Sequence, residues 1–175
     1  MQAPTHILAG VVIGKLFEWR TYRGVAMFLT AVLALLSHAV LDKLARVTYH
    51  QPEADFGNPA WVGFHLVVVL VTVIFLYLWW TDYKWGIVFA LLPDLEWLII
   101  YPQHALNREI PFYSVPHLHH AMNWMTEHTI PFCYLDMLPD NSAIPLGAIW
   151  EVIPALFLMV FIRFMDNRRK NIHFH

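Results

Sequence analysis

The sequence predicts an all-α polytopic membrane bundle with about four spanning helices and a short N-terminal half-helix, folded as a single integral membrane domain over residues 1–175. Three observations carry that prediction. Apolar residues make up 58% of the chain and Asp, Glu, Lys and Arg only 14%, against about 25% charged in an ordinary soluble domain. The apolar residues fall in runs near the roughly 20 residues that a helix needs to cross about 30 Å of hydrocarbon. Amphipathic aromatic residues stand at the ends of those runs (Trp61, Trp79, Trp80, Trp85 and Tyr101), where such rings anchor at the lipid headgroups.

The first apolar run, Ile7 to Phe17, follows Pro4-Thr5 and contains Gly10 and Gly14, with Thr5 as its expected N-cap. At about 11 residues it is too short to cross, so it is expected to be half-inserted or buried between other helices. No positive charge precedes it and no small-residue cleavage site follows, so it reads as part of the mature chain and not as a signal peptide. The expected spans are Gly24 to Asp42, Ala60 to Trp80, Trp85 to Tyr101 and Ser142 to Met165. The second of these is rich in β-branched residues, as a buried strand would be, but its length favours a membrane helix. Two loops, 43–59 and 102–141, hold most of the remaining prolines and acids, and the second is expected to contain a helix near His117 to His128.

The basic residues orient this topology. Lys15, Arg20, Arg23, Lys84, Arg163, Arg168, Arg169 and Lys170 all fall on one side, with only Lys43, Arg46 and Arg108 on the other. The positive-inside rule makes the first side cytoplasmic and turns the loops 43–59 and 102–141 outward, into a periplasm or equivalent space. A net charge of −2, with no basic cluster interleaved with aromatics, argues against nucleic acid as a partner. The single cysteine, Cys133, excludes an internal disulfide and reads as a small buried apolar residue.

The chain has 11 histidines, as many as Lys and Arg together, and the topology gathers most of them at the outer face. His38 and Asp42, four residues apart, share one face at the outer end of a helix, the spacing that two ligands of one ion need. His50 lies just beyond, and His65 a little way into the next span. Asp94 sits in Leu92-Pro93-Asp94-Leu95-Glu96 below the outer surface, and the loop after it carries His104, His117, His119, His120 and His128. Glu151 enters from the outer side on the last helix. An ionised carboxylate in hydrocarbon costs several kcal/mol, so Asp94, Glu96 and Glu151 are expected to face a cavity or a cation. Imidazole with carboxylate suits Zn²⁺, Fe or Mn²⁺. In Pro116-His117-Leu118-His119-His120 the choice of ligand stays open, with His117 and His120 sharing a helical face.

Three of these motifs resemble a known family. Thr5-His6-Ile7-Leu8-Ala9-Gly10, His38-Ala39-Val40-Leu41-Asp42 and Leu92-Pro93-Asp94-Leu95-Glu96 are similar to the Thr-His-x-x-x-Gly, His-x-x-x-Asp and Leu-Pro-Asp-x-Asp signatures of the YdjM-like inner-membrane metal-dependent hydrolases, a group itself similar to the zinc-dependent phospholipase C fold. The chain departs from the pattern in having Glu96 as the second acid, and in lacking the family's His-Arg-x-x-Thr-His-Ser segment, for which residues 115–120 stand in. The resemblance implies a bacterial inner-membrane hydrolase with a divalent metal, zinc first among candidates, held by His6, His38, Asp42, Asp94 and one or both of His117 and His120.

On this reading Asp94, Glu96 and Glu151 supply the catalytic carboxylates that orient water or relay protons. The substrate is an ester or phosphoester of a lipid or lipid-linked molecule, because a site at the membrane interface meets amphiphiles first. The rival reading is a b-type haem carrier using His38 and His65, or a metal or proton transporter. Nothing in the sequence specifies an oligomeric state.

Overall fold

The computed structural model describes residues 1–18, 22–49, 56–105, 116–129 and 132–172, and every regular element among them is helical. In chain order these are α1 (Ala3–Phe17), α2 (Arg23–Leu44), α3 (Pro59–Leu91), α4 (Leu95–Ala105), α5 (His117–Glu127) and α6 (Ala148–Ile172), with short 3-10 turns at Ala45–Val47, Phe132–Met137 and Pro145–Gly147. Three stretches, Arg23–Val47, Pro59–Leu91 and Pro145–Arg168, are long and apolar enough to cross a membrane. Their apolar side chains largely face outward. Leu66, Val67, Val69, Leu70, Val73 and Tyr77 of α3 are all well over half exposed, a surface that a water-soluble monomer would not carry and that lipid satisfies.

The short N-terminal helix is the centre of the bundle. Residues 4–13 of α1 are buried together with Lys15, and α1 packs against α2, α3 and α6. Of the two expected arrangements, burial between other helices is the one found. The helix starts earlier than the sequence predicts, because Gln2 in extended backbone forms the N-cap and Pro4, with its fixed φ, sits in the first turn. Thr5 is inside the helix and donates its hydroxyl to Glu151 instead of capping.

Close packing of α1 on α3 depends on two glycines. A Cβ on Gly10 would stand 2.5 Å from the Gly86 carbonyl oxygen, and one on Gly86 would come closer still to the Gly10 oxygen, so the two backbones touch where they cross. Around this crossing Ile7, Leu8, Val11 and Val12 pack with Phe75, Tyr83, Ile87 and Ile162. At the far end of α1, buried Lys15 pairs with Asp166 of α6 and lies 4.7 Å from the centre of the Tyr83 ring.

Tyr83 interrupts α3, with φ −124° and ψ 23°. Phe75, before this break, and Ile87, after it, join one core cluster with residues of α1, and the helix kinks between them. The expected third span, Trp85 to Tyr101, is not one helix. Its first part belongs to α3, the backbone turns through Leu92, Pro93 and Asp94, and α4 begins at Leu95. Pro93 has no N–H to carry the helical ladder onward, and the three bonds Leu95 N to Leu92 O, Glu96 N to Pro93 O and Trp97 N to Asp94 O close a tighter turn in its place. Asp94 is thereby lifted out of regular helix. The expected helix in the second loop is α5. His50 and much of the loop 43–59 lie outside the described residues, as do the side chains of His104 and Cys133.

Candidate metal centre

Four elements deliver side chains to one point. α1 brings His6, α2 brings His38 and Asp42, the turn after α3 brings Asp94, and the first turn of α5 brings His119. Among the described residues, two triads have ligand atoms all within 4.8 Å of one another: His6, His38 and Asp42, and His38, Asp94 and His119. Asp42 joins them. Its Oδ1 lies 3.2 Å from His6 Nε2, and its Oδ2 lies 3.0 Å from His38 Nε2 and 3.5 Å from His119 Nε2. Asp94 Oδ1 completes the second triad at 3.7 Å from His38 Nε2 and 3.8 Å from His119 Nε2.

These separations fit a cation. Tetrahedral ligands at about 2.0–2.1 Å from zinc stand roughly 3.3 Å from each other. The second observation is the state of His38. Its Nδ1 lies 2.7 Å from the Ala90 carbonyl and donates to it, which turns Nε2 toward the carboxylates. That Nε2 is buried and makes no aligned hydrogen bond, despite its proximity to Asp42. A fully buried ring nitrogen without an aligned hydrogen bond, near two carboxylates, is an environment that a metal ligand can occupy. Imidazole and carboxylate donors in this set are of the type that can hold a divalent ion.

Glu96 does not point into this cluster. It accepts from the backbone N–H of Leu118 at 2.8 Å and of His119 at 3.3 Å, and faces His119 Nδ1 at 3.4 Å. One carboxylate thus satisfies the open N-terminus of α5 and orients the imidazole on its first turn, the arrangement that fixes a ligand's tautomer in metal sites. Glu151 is likewise structural in its contacts. Buried on α6, it accepts from Gln2 N at 3.0 Å and from the Thr5 hydroxyl, which ties α6 to the start of α1 one turn from His6.

The sequence therefore placed His6, His38, Asp42 and Asp94 in positions that the fold brings together, and two assignments need correction. His119, and not His117 or His120, reaches the cluster, because Pro116 starts α5 such that its third residue faces α2 while His117 is exposed. Glu96 and Glu151, expected to be catalytic carboxylates, contact the starts of α5 and α1 and lie outside the two triads. His65 is turned to its own helix, with Nδ1 2.8 Å from Trp61 O and its ring stacked on Trp61 at 3.9 Å. A cavity of about 260 Å³ opens at the other end of α1, lined among others by Glu18, Arg23, Asp82 and Tyr83, and shares no residue with the histidine cluster.

Access is one-sided. His6 and His38 are fully buried, whereas the side chains of Asp42 and Asp94 keep 25% and 37% of their exposure. Burial alone would lower the His119 pKa, but its hydrogen bond to Asp42 and that carboxylate's charge, then Glu96 and Asp94, outweigh it and hold the imidazole above the ordinary 6.5. A ligand must be unprotonated, so metal binding must displace this proton. Affinity is expected to fall as pH drops below the raised His119 pKa, approaching about tenfold per unit. Calorimetry in two buffers of different ionisation enthalpy measures the released proton, and a pH-independent affinity between pH 6 and 8 would contradict it.

No family model, curated protein or solved structure matches this chain.

Proposed function

We propose that the protein is a membrane-embedded, metal-dependent hydrolase of an ester or phosphoester bond in a lipid or lipid-linked substrate, akin to the YdjM-like group. The observation that carries this reading is the convergence of three imidazoles and two carboxylates from four chain segments, with the buried His38 Nε2 making no aligned hydrogen bond among them. His38, Asp42, Asp94 and His119 would hold the ion, with His6 beside them. A divalent ion in such a set supplies Lewis acidity: it brings the pKa of water to about 7 and polarises an acyl or phosphoryl oxygen.

The chain's own groups do the rest. Ala90 O and Glu96 fix the tautomers of His38 and His119, so that neither ring has to reorganise. The exposed flank of Asp94 is the side from which water and substrate approach, and its carboxylate is placed to accept a proton from the attacking water. An incompletely enclosed donor set favours a catalytic over a purely structural ion, which would be closed on all sides. Lipid is supported by location, since the donors lie at the ends of helices whose outer faces are apolar. The excess of Lys and Arg at the opposite ends favours a site on the non-cytoplasmic side, which in the bacterial inner membrane implied by the resemblance is the periplasm.

Asp94→Asn tests the reading. Phosphodiester or carboxylester turnover by the detergent-purified protein is expected to fall by about 100-fold or more while helical circular dichroism is unchanged. Full activity after exhaustive chelation, with metal absent by elemental analysis, would refute it.

A further inference from the structure

The cavity of about 260 Å³ lies at the end of α1 away from the histidines, with Gly14 in its lining. Gly14 and His6 are separated by about 12 Å of helix at 1.5 Å per residue. The cavity adjoins the break in α3, where Tyr83 leaves helical backbone and the chain turns back beside α1 and the start of α2. Residues 59–82 before that break make a helix of about 36 Å, enough to cross a bilayer, so the cavity lies at the membrane boundary opposite the start of α3. Trp85, about half exposed beside it, suits the headgroup level.

The lining of the cavity is mixed in polarity. Exposed Glu18, Arg23 and Asp82 bring charge to it from the end of α1, the start of α2 and the break in α3. Thr30, only 6% exposed, lies two turns into α2, and its hydroxyl has no hydrogen-bond partner among the described residues. Leaving a buried hydroxyl unpaired costs about 1–3 kcal/mol, so this group calls for a polar atom in the cavity. Arg23 and Asp82 are likewise unpaired among the described residues, and no side chain caps the first N–H groups of α2.

These groups select one ligand chemistry. Arg23 and the uncapped start of α2 suit a phosphate. Glu18 and Asp82 suit a primary ammonium, which can donate to both carboxylates. Phe17 and Met27 add apolar surface for the carbons between and beyond them. We infer that the cavity binds one phospholipid with a phosphoethanolamine headgroup, from the leaflet on that side of the membrane, as a resident lipid and not as a substrate. The volume lies just under the roughly 300 Å³ at which ordinary ligand pockets begin, so it admits the headgroup and leaves the acyl chains outside, along the half-exposed Met27 and Trp85. The inference rests on the membrane-spanning fold and needs neither the metal nor the hydrolysis of the proposed function.

The test is lipid binding by native mass spectrometry on the full-length, detergent-purified chain, offered phosphatidylethanolamine, phosphatidylcholine and phosphatidylglycerol with identical acyl chains. One phosphatidylethanolamine per chain is expected to be retained, about tenfold more tightly than either of the others. Arg23→Gln and Asp82→Asn, both at exposed side chains, are each expected to weaken retention about tenfold, and Thr30→Val about fivefold. Lys84→Gln, outside the cavity, is expected to leave it unchanged. Equal retention of the three lipids, or undiminished retention in both Arg23→Gln and Asp82→Asn, overturns the inference. So does water-soluble phosphoethanolamine binding as tightly as the lipid, which would make the ligand a soluble one. Chelation of metal is expected to change nothing, and loss of the lipid on chelation would move it to the histidine cluster and overturn the cavity assignment. Should Thr30→Val fail to fold, the wild-type selectivity and the two exposed variants decide.

Discussion

Asp42→Asn is expected to abolish metal binding, lowering affinity by well over about 100-fold, and with it any hydrolysis. The effect is large because Asp42 is, among the described residues, the one in contact with all three histidines of the cluster. His6, His38 and His119 lie within 3.5 Å of its two oxygens. Replacing one oxygen by an amide removes the negative charge and presents N–H groups to whichever rings face it, so at least one of the close N to O approaches becomes a clash of donors or a competing bond. The amide keeps the shape of the carboxylate, so the bundle is expected to fold, as circular dichroism and gel filtration would show. Metal content by elemental analysis is the measurement. Retention of the metal would mean that it is held elsewhere.

Gly86→Ala is expected to be the most destabilising single-methyl change in the chain, at about 3 kcal/mol or more. Overpacking usually costs less because a neighbouring side chain shifts, but here the obstruction is the carbonyl of Gly10, part of a helix backbone buried on several sides. Relief requires α1 to move away from α3 as a body. That motion would open the contacts of Ile7, Val11 and Ile87 and carry His6 away from Asp42. Gly14→Ala is the control. Its Cβ would approach the edge of the Tyr83 ring at 3.1 Å, an obstacle that a side-chain rotation relieves. Thermal unfolding in detergent should therefore drop by about 6–12 °C for Gly86→Ala, given roughly 2–4 °C per kcal/mol at this size, and by a small fraction of that for Gly14→Ala. Metal affinity should fall with the first variant and hold with the second.

Much of the site was legible from local spacing. His38 and Asp42 are related by one helical turn, a relation fixed by sequence alone, and Asp94 follows a proline that had to interrupt its helix. His119 was not legible. Three histidines sit within four residues, and which of them faces inward depends on the rotation of α5 about its axis, set by Glu96 gripping its first backbone amides and by Lys43 holding Glu127 and Asp136 at its other end. Those partners are distant in sequence. The contacts of Glu96 and Glu151 were not legible for the same reason: an acid inside an apolar chain must find a positive partner, but whether that partner is an ion or the N-terminus of a neighbouring helix is decided by which helix end arrives there.

The sequence by itself determined that the chain is helical, that it carries several apolar runs near the length needed to span a membrane, and that imidazoles and acids collect toward one end, while the structure reduced the four expected spans to three. These follow from the run length of apolar residues and from helical periodicity, both properties of neighbours along the chain. Only the tertiary structure decided that the short first helix is the hub of the bundle, that its glycines allow two backbones to touch, and that His6 and His38 stack against one carboxylate. The physical reason is that such contacts depend on the rotation and separation of helices, which many distant side chains fix together and no local pattern encodes.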